Sequence, residues 1–158
     1  MRAAVLSSPQ DVSRHPLRIT EVEKPRTRPG HVLLKVRACG VCRTDLHIVE
    51  GELAPQREGI TPGHQIVGEI VDNGTAEFPT GSRVGVSWVG GIDGCCLYCQ
   101  RGLENLCDSP TYTGYTVDGG YAEYALARTD FVFTLPTALD DLQAAPLLCA
   151  GIIGPAQL

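Results

Sequence analysis

Short extended runs broken by turn-forming clusters fill most of this sequence, and that rhythm restricts the chain to a small set of folds. The runs cover residues 3–6, 17–23, 31–38, 65–72, 83–88, 121–127 and 131–135, and the breaks read KPRTRPG, VDNGT and TVDGG. Many short strands at this spacing predict a mainly β fold with short helices, closed or nearly closed into a barrel. Within 31–38, Val32, Leu34, Val36 and Ala38 alternate with Leu33, Lys35 and Arg37, which predicts that the first set shares one face. Two segments depart from the β rhythm. Residues 44–50 open at Thr44, a possible N-cap, and stop before Gly51, so a short helix is expected there. Residues 137–150 carry Asp140 and Asp141 ahead of an Ala- and Leu-rich stretch, and a second helix is expected.

The 158 residues, 43% of them apolar, suffice for one domain with its own core and are too few for two of ordinary size. Thirteen Lys and Arg against eighteen Asp and Glu are interspersed and leave a net charge of −5, which argues against a nucleic-acid partner. The longest uncharged stretch, 144–158, is interrupted by Pro146, Gly151, Gly154 and Pro155 and falls short of the roughly 20 apolar residues of a spanning helix. No membrane partner is expected. The apolar run at 3–6 is too short for the core of a secretory signal, so a cytoplasmic location is expected. Seven cysteines, an odd number, then read as thiols or metal ligands and not as a disulfide framework.

The cysteines fall in distinct motifs. CGVCRTDLH spans 39–47 and puts Cys42 at the mouth of the first helix, with Thr44 and His47 one turn apart on one face. PGHQIVGEIV spans 62–71, with His64 in a turn before a strand, and PLLCAG carries Cys149. A fourth segment, GIDGCCLYCQRGLENLC, holds Cys95, Cys96, Cys99 and Cys107.

Together, in their order along the chain, the four segments closely resemble the GroES-like catalytic domain of zinc-dependent alcohol dehydrogenases in the medium-chain dehydrogenase/reductase superfamily. The resemblance covers nearly the whole chain and implies a single GroES-like β-barrel domain over 1–158, with a zinc lobe at about 91–110. It implies Cys42, His64 and Cys149 as the ligands of a catalytic zinc, and the chemistry agrees. Two thiolates and an imidazole leave a tetrahedral Zn²⁺ one open position, where it acts as a Lewis acid toward an alcohol. By the same resemblance Thr44 takes the substrate proton and His47 passes it, through the cofactor ribose, to water, so both lie against the cofactor. His47 suits that task because imidazole titrates near neutrality. Asp45 matches the carboxylate that orients the ligand histidine, and Trp88 a pocket-wall side chain. Gln65 stands where the family commonly has Glu, and a neutral amide cannot enter as an anionic transient ligand. Cys39 is expected in the core, and His15 and His31 in solvated loops.

Relatives hold a structural zinc with four cysteines at spacings of three, three and eight. Here Cys96, Cys99 and Cys107 keep the last two spacings, while the first position is Asp93. Three outcomes are open: Asp93 gives oxygen as the fourth ligand, Cys95 is recruited, or the lobe holds no metal. The resemblance further implies an oxidoreductase that interconverts alcohols with aldehydes or ketones using NAD or NADP, homo-oligomeric in its complete form. No Gly-rich nucleotide fingerprint is present. The expectation is therefore of a truncated chain without the Rossmann domain, inactive alone, with an apolar exposed surface near 144–155 that promotes self-association. Two other classes compete: a non-enzymatic zinc-binding or thiol-redox module built on the CxxC pairs, and a metal-free relative of the quinone reductase or co-chaperonin type.

Overall fold

A computed structural model of the chain describes residues 1–74 and 78–153, with the side chains of 152 and 153 excepted. Its centre is a five-stranded antiparallel sheet. In chain order the strands are β1 (Arg2–Leu6), β2 (Leu17–Glu21), β3 (His31–Gly40), β4 (Gln65–Asn73), β5 (Arg83–Val86), β6 (Val89–Gly91), β7 (Thr111–Tyr112), β8 (Tyr124–Arg128) and β9 (Val132–Thr134). The large sheet runs β8-β3-β4-β5-β9, and β1-β2 and β6-β7 form two-stranded ribbons. The mainly β expectation is met. The large sheet is curled but open, since β8 and β9 are its two edges. Backbone bonds from Ala4 N to Tyr121 O and from Glu123 N to Arg2 O tie the β1 ribbon to the segment leading into β8. Residues 121–123 serve as this seam and do not extend β8, so the expected strand at 121–127 starts three residues late.

Alternating branched side chains supply the core. Val32 and Leu34 on β3, Ile66 and Ile70 on β4, Val84 and Val86 on β5, and Ala125 and Ala127 on β8 pack together, nearly all below 4% exposed. The expected alternation along β3 fails at one point. A register shift between Val36 and Ala38 inserts an extra residue, as a β-bulge does, and flips the phase. Cys39 packs against the core after the shift, and Ala38 turns to the opposite face.

That opposite face is covered by a helix. The segment expected as one helix over 137–150 is α2 (Asp141–Leu147) followed by a separate turn, α3 (Ala150–Ile153). Asp140 is the N-cap, its side chain accepting from Gln143 N, so the helix begins later than expected. Pro146 lies inside α2 and lacks an N–H, and the hydrogen bonds after it contract to Leu148 N–Ala145 O and Cys149 N–Pro146 O. Ala144, Ala145 and Leu148 are buried against Val67. Of the expected apolar surface at 144–155, Ala144, Ala145 and Leu148 are buried within the fold, while Pro146, Leu147 and Ala150 are exposed. Leu142 and Leu147 remain exposed, at 78% and 46%, and residues 154–158 lie outside the described ones.

The first helix, α1 (Arg43–Glu50), is capped by Cys42 and not by Thr44. Asp45, at the third helical position, accepts from Cys42 N at 2.8 Å, so the carboxylate decides where the helix begins. Gly51 closes it at φ 83°, a conformation that glycine adopts without strain. Between β6 and β7 a lobe projects from the barrel, held by two 3₁₀ turns at Cys99–Arg101 and Glu104–Leu106. Arg128 anchors its base by donating to Ile92 O at 3.0 Å. Among the described residues no helix is long and apolar enough to cross a membrane.

Candidate metal centres

Two loops and one helix end converge at one end of the large sheet. β3 and β4 are paired with Gly40 opposite Gln65. Cys42, two residues beyond β3, and His64, one residue before β4, therefore emerge side by side. Cys149 arrives from the C-terminal side of α2. One donor atom from each of the three lies within 4.8 Å of the others, and the sulfurs of Cys42 and Cys149 are 3.8 Å apart.

His64 is fully buried. Its Nδ1 meets Asp45 Oδ1 at 3.2 Å, and that carboxylate, itself 2% exposed, also accepts from Gly63 N at 3.2 Å. The other ring nitrogen, Nε2, has no hydrogen-bond partner. An orphaned buried nitrogen costs about 1–3 kcal/mol unless something occupies it. A divalent cation between this nitrogen and the two sulfurs removes that cost, so the residues fit a Cys₂His metal site. Burial alone raises the Cys42 thiol. The backbone and hydroxyl of Thr44, the Cys149 thiol and His64 outweigh it and bring Cys42 below the ordinary thiol range. Cys149 is raised, by burial and by Cys42.

Around this point stand the other residues singled out by sequence. Thr44 Oγ1 lies 3.7 Å from Cys42 Sγ. His47, one turn further along α1, pairs through Nδ1 with Glu52. Trp88 meets His64 edge-on at 5.2 Å. Gln65 is 2% exposed, and its Oε1 finds no partner. His15 is exposed, as expected, whereas His31 opens β3 and contacts Arg28 and Pro29 O. Sequence reasoning missed three neighbours. Glu52 is the partner of His47, and Tyr112 and Tyr115 stack on Trp88 at 4.7 and 5.9 Å.

Cys39 stays out of the cluster. Burial pushes its thiol up to about 12, so it is neutral and shielded at physiological pH. Iodoacetamide at pH 8 is expected to leave Cys39 unmodified in the folded protein while it labels the exposed Cys95. Equal labelling of both, read by peptide mass spectrometry, would contradict the burial seen here.

The lobe brings a second set together. Donor atoms of Asp93, Cys96, Cys99 and Cys107 all lie within 4.8 Å of one another, and Cys95 is not among them. Asp93 Oδ1 accepts from the amides of Cys95 at 2.8 Å and Cys96 at 2.9 Å. Those amides, that of Cys96 foremost, hold its carboxyl well below the usual range. Cys107 Sγ accepts from Asp93 N and Ser109 N, each at 3.4 Å, and Cys96 Sγ from Cys99 N at 3.5 Å. Amide groups turned toward sulfur stabilise thiolates. Burial, with Cys96 and Cys107 beside it, pushes Cys99 up to about 12. An anion-holding loop with one resisting thiol is an arrangement that a cation would complete.

Comparison with known proteins agrees with this geometry. The model of the alcohol dehydrogenase GroES-like domain matches residues 28–137. An alcohol dehydrogenase of Geobacillus stearothermophilus is 43% identical over 96% of this chain and 44% of its own length. Among solved structures, a cobalt- and zinc-bound thermostable alcohol dehydrogenase from Pyrobaculum aerophilum aligns with TM-score 0.81 and 30% identity, over 93% of this chain and 44% of that one. The alcohol dehydrogenase rspB from E. coli CFT073, complexed with NADH, aligns with TM-score 0.83 and 29% identity over 99% of this chain and 46% of that one. The chain spans less than half the length of the curated relatives it matches.

Proposed function

This chain belongs to the alcohol dehydrogenase GroES-like domain family, and from that premise we propose that it is the zinc-holding half of an enzyme that interconverts alcohols with aldehydes or ketones by hydride transfer with NAD(P). The observation that carries the reading is the unpartnered Nε2 of buried His64 facing the thiols of Cys42 and Cys149. Cys42, His64 and Cys149 hold the catalytic zinc, which when bound supplies a Lewis acid toward the alcohol oxygen. Asp45 fixes the tautomer of His64 by taking its Nδ1 proton in a hydrogen bond, leaving Nε2 as the donor.

The remaining steps belong to this chain's own groups. Thr44 Oγ1 accepts the substrate hydroxyl proton as its own hydroxyl proton is released outward toward His47. His47, on the same face of α1 and with its side chain 33% exposed, passes it outward, and Glu52 holds its ring. Trp88, backed by Tyr112 and Tyr115, forms a stiff apolar wall that orients the substrate and excludes water. Gln65 is neutral and could not enter as an anionic ligand, so Cys42, His64 and Cys149 would be the protein donors to the metal. Asp93, Cys96, Cys99 and Cys107 hold a second, structural zinc that fixes the lobe. The substrate is a small-molecule alcohol or carbonyl compound, and Thr44 and His47 would lie against a nicotinamide cofactor, which when bound would supply the hydride acceptor.

A thiol-redox reading of the Cys39/Cys42 pair has less support, because the Cys39 thiol is buried and raised to about 12. Metal analysis of protein purified without chelator is expected to give about two zinc ions per chain, one for each four-coordinate site. Cys42→Ser is expected to lose one of them and, in the full-length protein, alcohol oxidation with NAD⁺ or NADP⁺. Unchanged zinc content, or undiminished turnover in that variant, would refute the assignment.

A further inference from the structure

Of the three donors in the Cys₂His cluster, two have their relative position fixed by strand register. Cys42 and His64 flank the paired residues Gly40 and Gln65, so the β3-β4 ladder sets them together. Cys149 has no such constraint. It follows α2, which crosses the outer face of the sheet and makes no ladder with it, and its position depends on how α2 is docked.

Docking is fixed at two places. At its C-terminal end Leu148 seats in a notch over Gly85, where a Cβ would lie 2.6 Å from the Leu148 Cδ2 atom. At its N-terminal end the carboxylate of Asp141 is held in a fork. Arg37 Nε of β3 donates to Oδ2 and Arg83 Nε of β5 to Oδ1, both at 2.7 Å. The fork is itself braced. Arg37 Nη1 reaches Glu69 on β4 at 3.1 Å, and Arg83 Nη1 donates to Pro136 O at 3.0 Å. Each arm thus comes from a different strand of the sheet, with β4 between them. Two charge-assisted bonds at right length and from two directions specify a position in a way that apolar contact alone does not. The apolar face of α2 is built largely of Ala144 and Ala145, small side chains that permit sliding.

We propose that the Arg37–Asp141–Arg83 fork is a positioning device for metal binding: it sets the register of α2 on the sheet and thereby places Cys149 against Cys42 and His64. Asp141 touches neither the donors nor a substrate and acts only through the helix. The inference rests on the reading of Cys42, His64 and Cys149 as zinc ligands, and the test separates the two.

The zinc-loaded protein is treated with iodoacetamide, and labelling of each cysteine is followed by peptide mass spectrometry, in wild type, Asp141→Asn and Asp141→Glu. Zinc-bound thiolates are protected, and the lobe cysteines 96, 99 and 107 serve as an internal reference on the same molecule. In Asp141→Asn, labelling of Cys149 and Cys42 is expected to rise about tenfold, the scale on which supporting partners affect metal affinity, with lobe labelling unchanged. Asp141→Glu, which can still span both arginines, is expected to restore most of the protection. A rise confined to Cys149 and Cys42 and reversed by Glu supports the fork. Equal protection in Asp141→Asn and wild type overturns it, and so does a parallel rise at all five cysteines, which marks general loosening. If Asp141→Asn does not fold, Arg37→Gln removes one arm only, and the same pattern is expected at smaller amplitude. Absence of protection at Cys42 and Cys149 in zinc-loaded wild type would instead refute the metal assignment itself.

Discussion

Asp45→Ala is expected to unfold at markedly lower denaturant concentration than wild type, by about 3–5 kcal/mol, the cost of removing one partner from a buried charged network. The size of the effect follows from how many groups share this carboxylate. It accepts from Cys42 N at 2.8 Å, Gly63 N at 3.2 Å and His64 Nδ1 at 3.2 Å, and all three donors belong to segments that present the candidate ligands. Alanine leaves each N–H without an acceptor, in a place where His64 is fully buried and water has little access. It also frees the imidazole to take the other tautomer, with the proton on Nε2 and no lone pair for a metal. Zinc affinity at this cluster should therefore fall by about 10- to 100-fold, independently of the loss of stability. Competition with a chromophoric chelator measures the affinity, and urea titration of the apo protein measures the fold. Asp45→Asn offers a sharper comparison: its oxygen still serves one or two amides, so stability should recover in part while the charge toward His64 is lost. An Asp45→Ala protein with wild-type urea midpoint and wild-type zinc affinity would remove Asp45 from the account.

Much of this site was legible because its chemistry is written in residue types. Cysteine and histidine within the CGVCRTDLH, PGHQIVGEIV and PLLCAG segments carry their meaning with them, and the structure brings those donors to one point. Features set by phase or by distant partners were not legible. The extra residue near Arg37 is invisible in the hydrophobic pattern, because Ala38 and Cys39 are both acceptable on an apolar face; only the β4 register reveals the flip. The N-cap was misplaced for a related reason. Thr44 is the better capping type by composition, but Asp45, already committed to His64 and Gly63, also captures Cys42 N and starts the helix two residues earlier. Glu52, Tyr112 and Tyr115 carry no motif of their own and become visible only when the chain has folded around Trp88 and His47. The end of α2 was misjudged because a Pro late in a helix does not by its presence say how many turns follow it.

At the lobe, Asp93→Ala is expected to reduce zinc bound per chain from about two to about one, since a four-coordinate structural site rarely survives the loss of a ligand that also shapes its loop. Asp93 is placed for both tasks. Its Oδ1 holds the amides of Cys95 and Cys96, which fixes the turn at Gly94, φ 71°, and points Cys96 inward, while the carboxylate lies within 4.8 Å of all three sulfurs. Alanine removes the turn and the donor together. Asp93→Asn separates them: an amide oxygen can hold the same two N–H groups but brings no negative charge to the cation, so the turn should persist while affinity falls. Asp93→Cys supplies a thiolate in place of oxygen and is expected to keep the zinc, with slower release to chelator. Proton release gives a further signature. Because the Cys99 thiol is raised to about 12 in the metal-free lobe, zinc must displace its proton on binding, and apparent affinity should weaken as pH falls. Loss of the lobe metal leaves the five-stranded sheet intact, since the core around Leu34, Ile66 and Ile70 draws no residue from 92–110. Circular dichroism of Asp93→Ala should accordingly match wild type, with a rise in proteolysis confined to the lobe. Asp93→Ala retaining both zinc ions with an unchanged release rate would assign the fourth position to a different donor, and Asp93 would be left as a turn residue only.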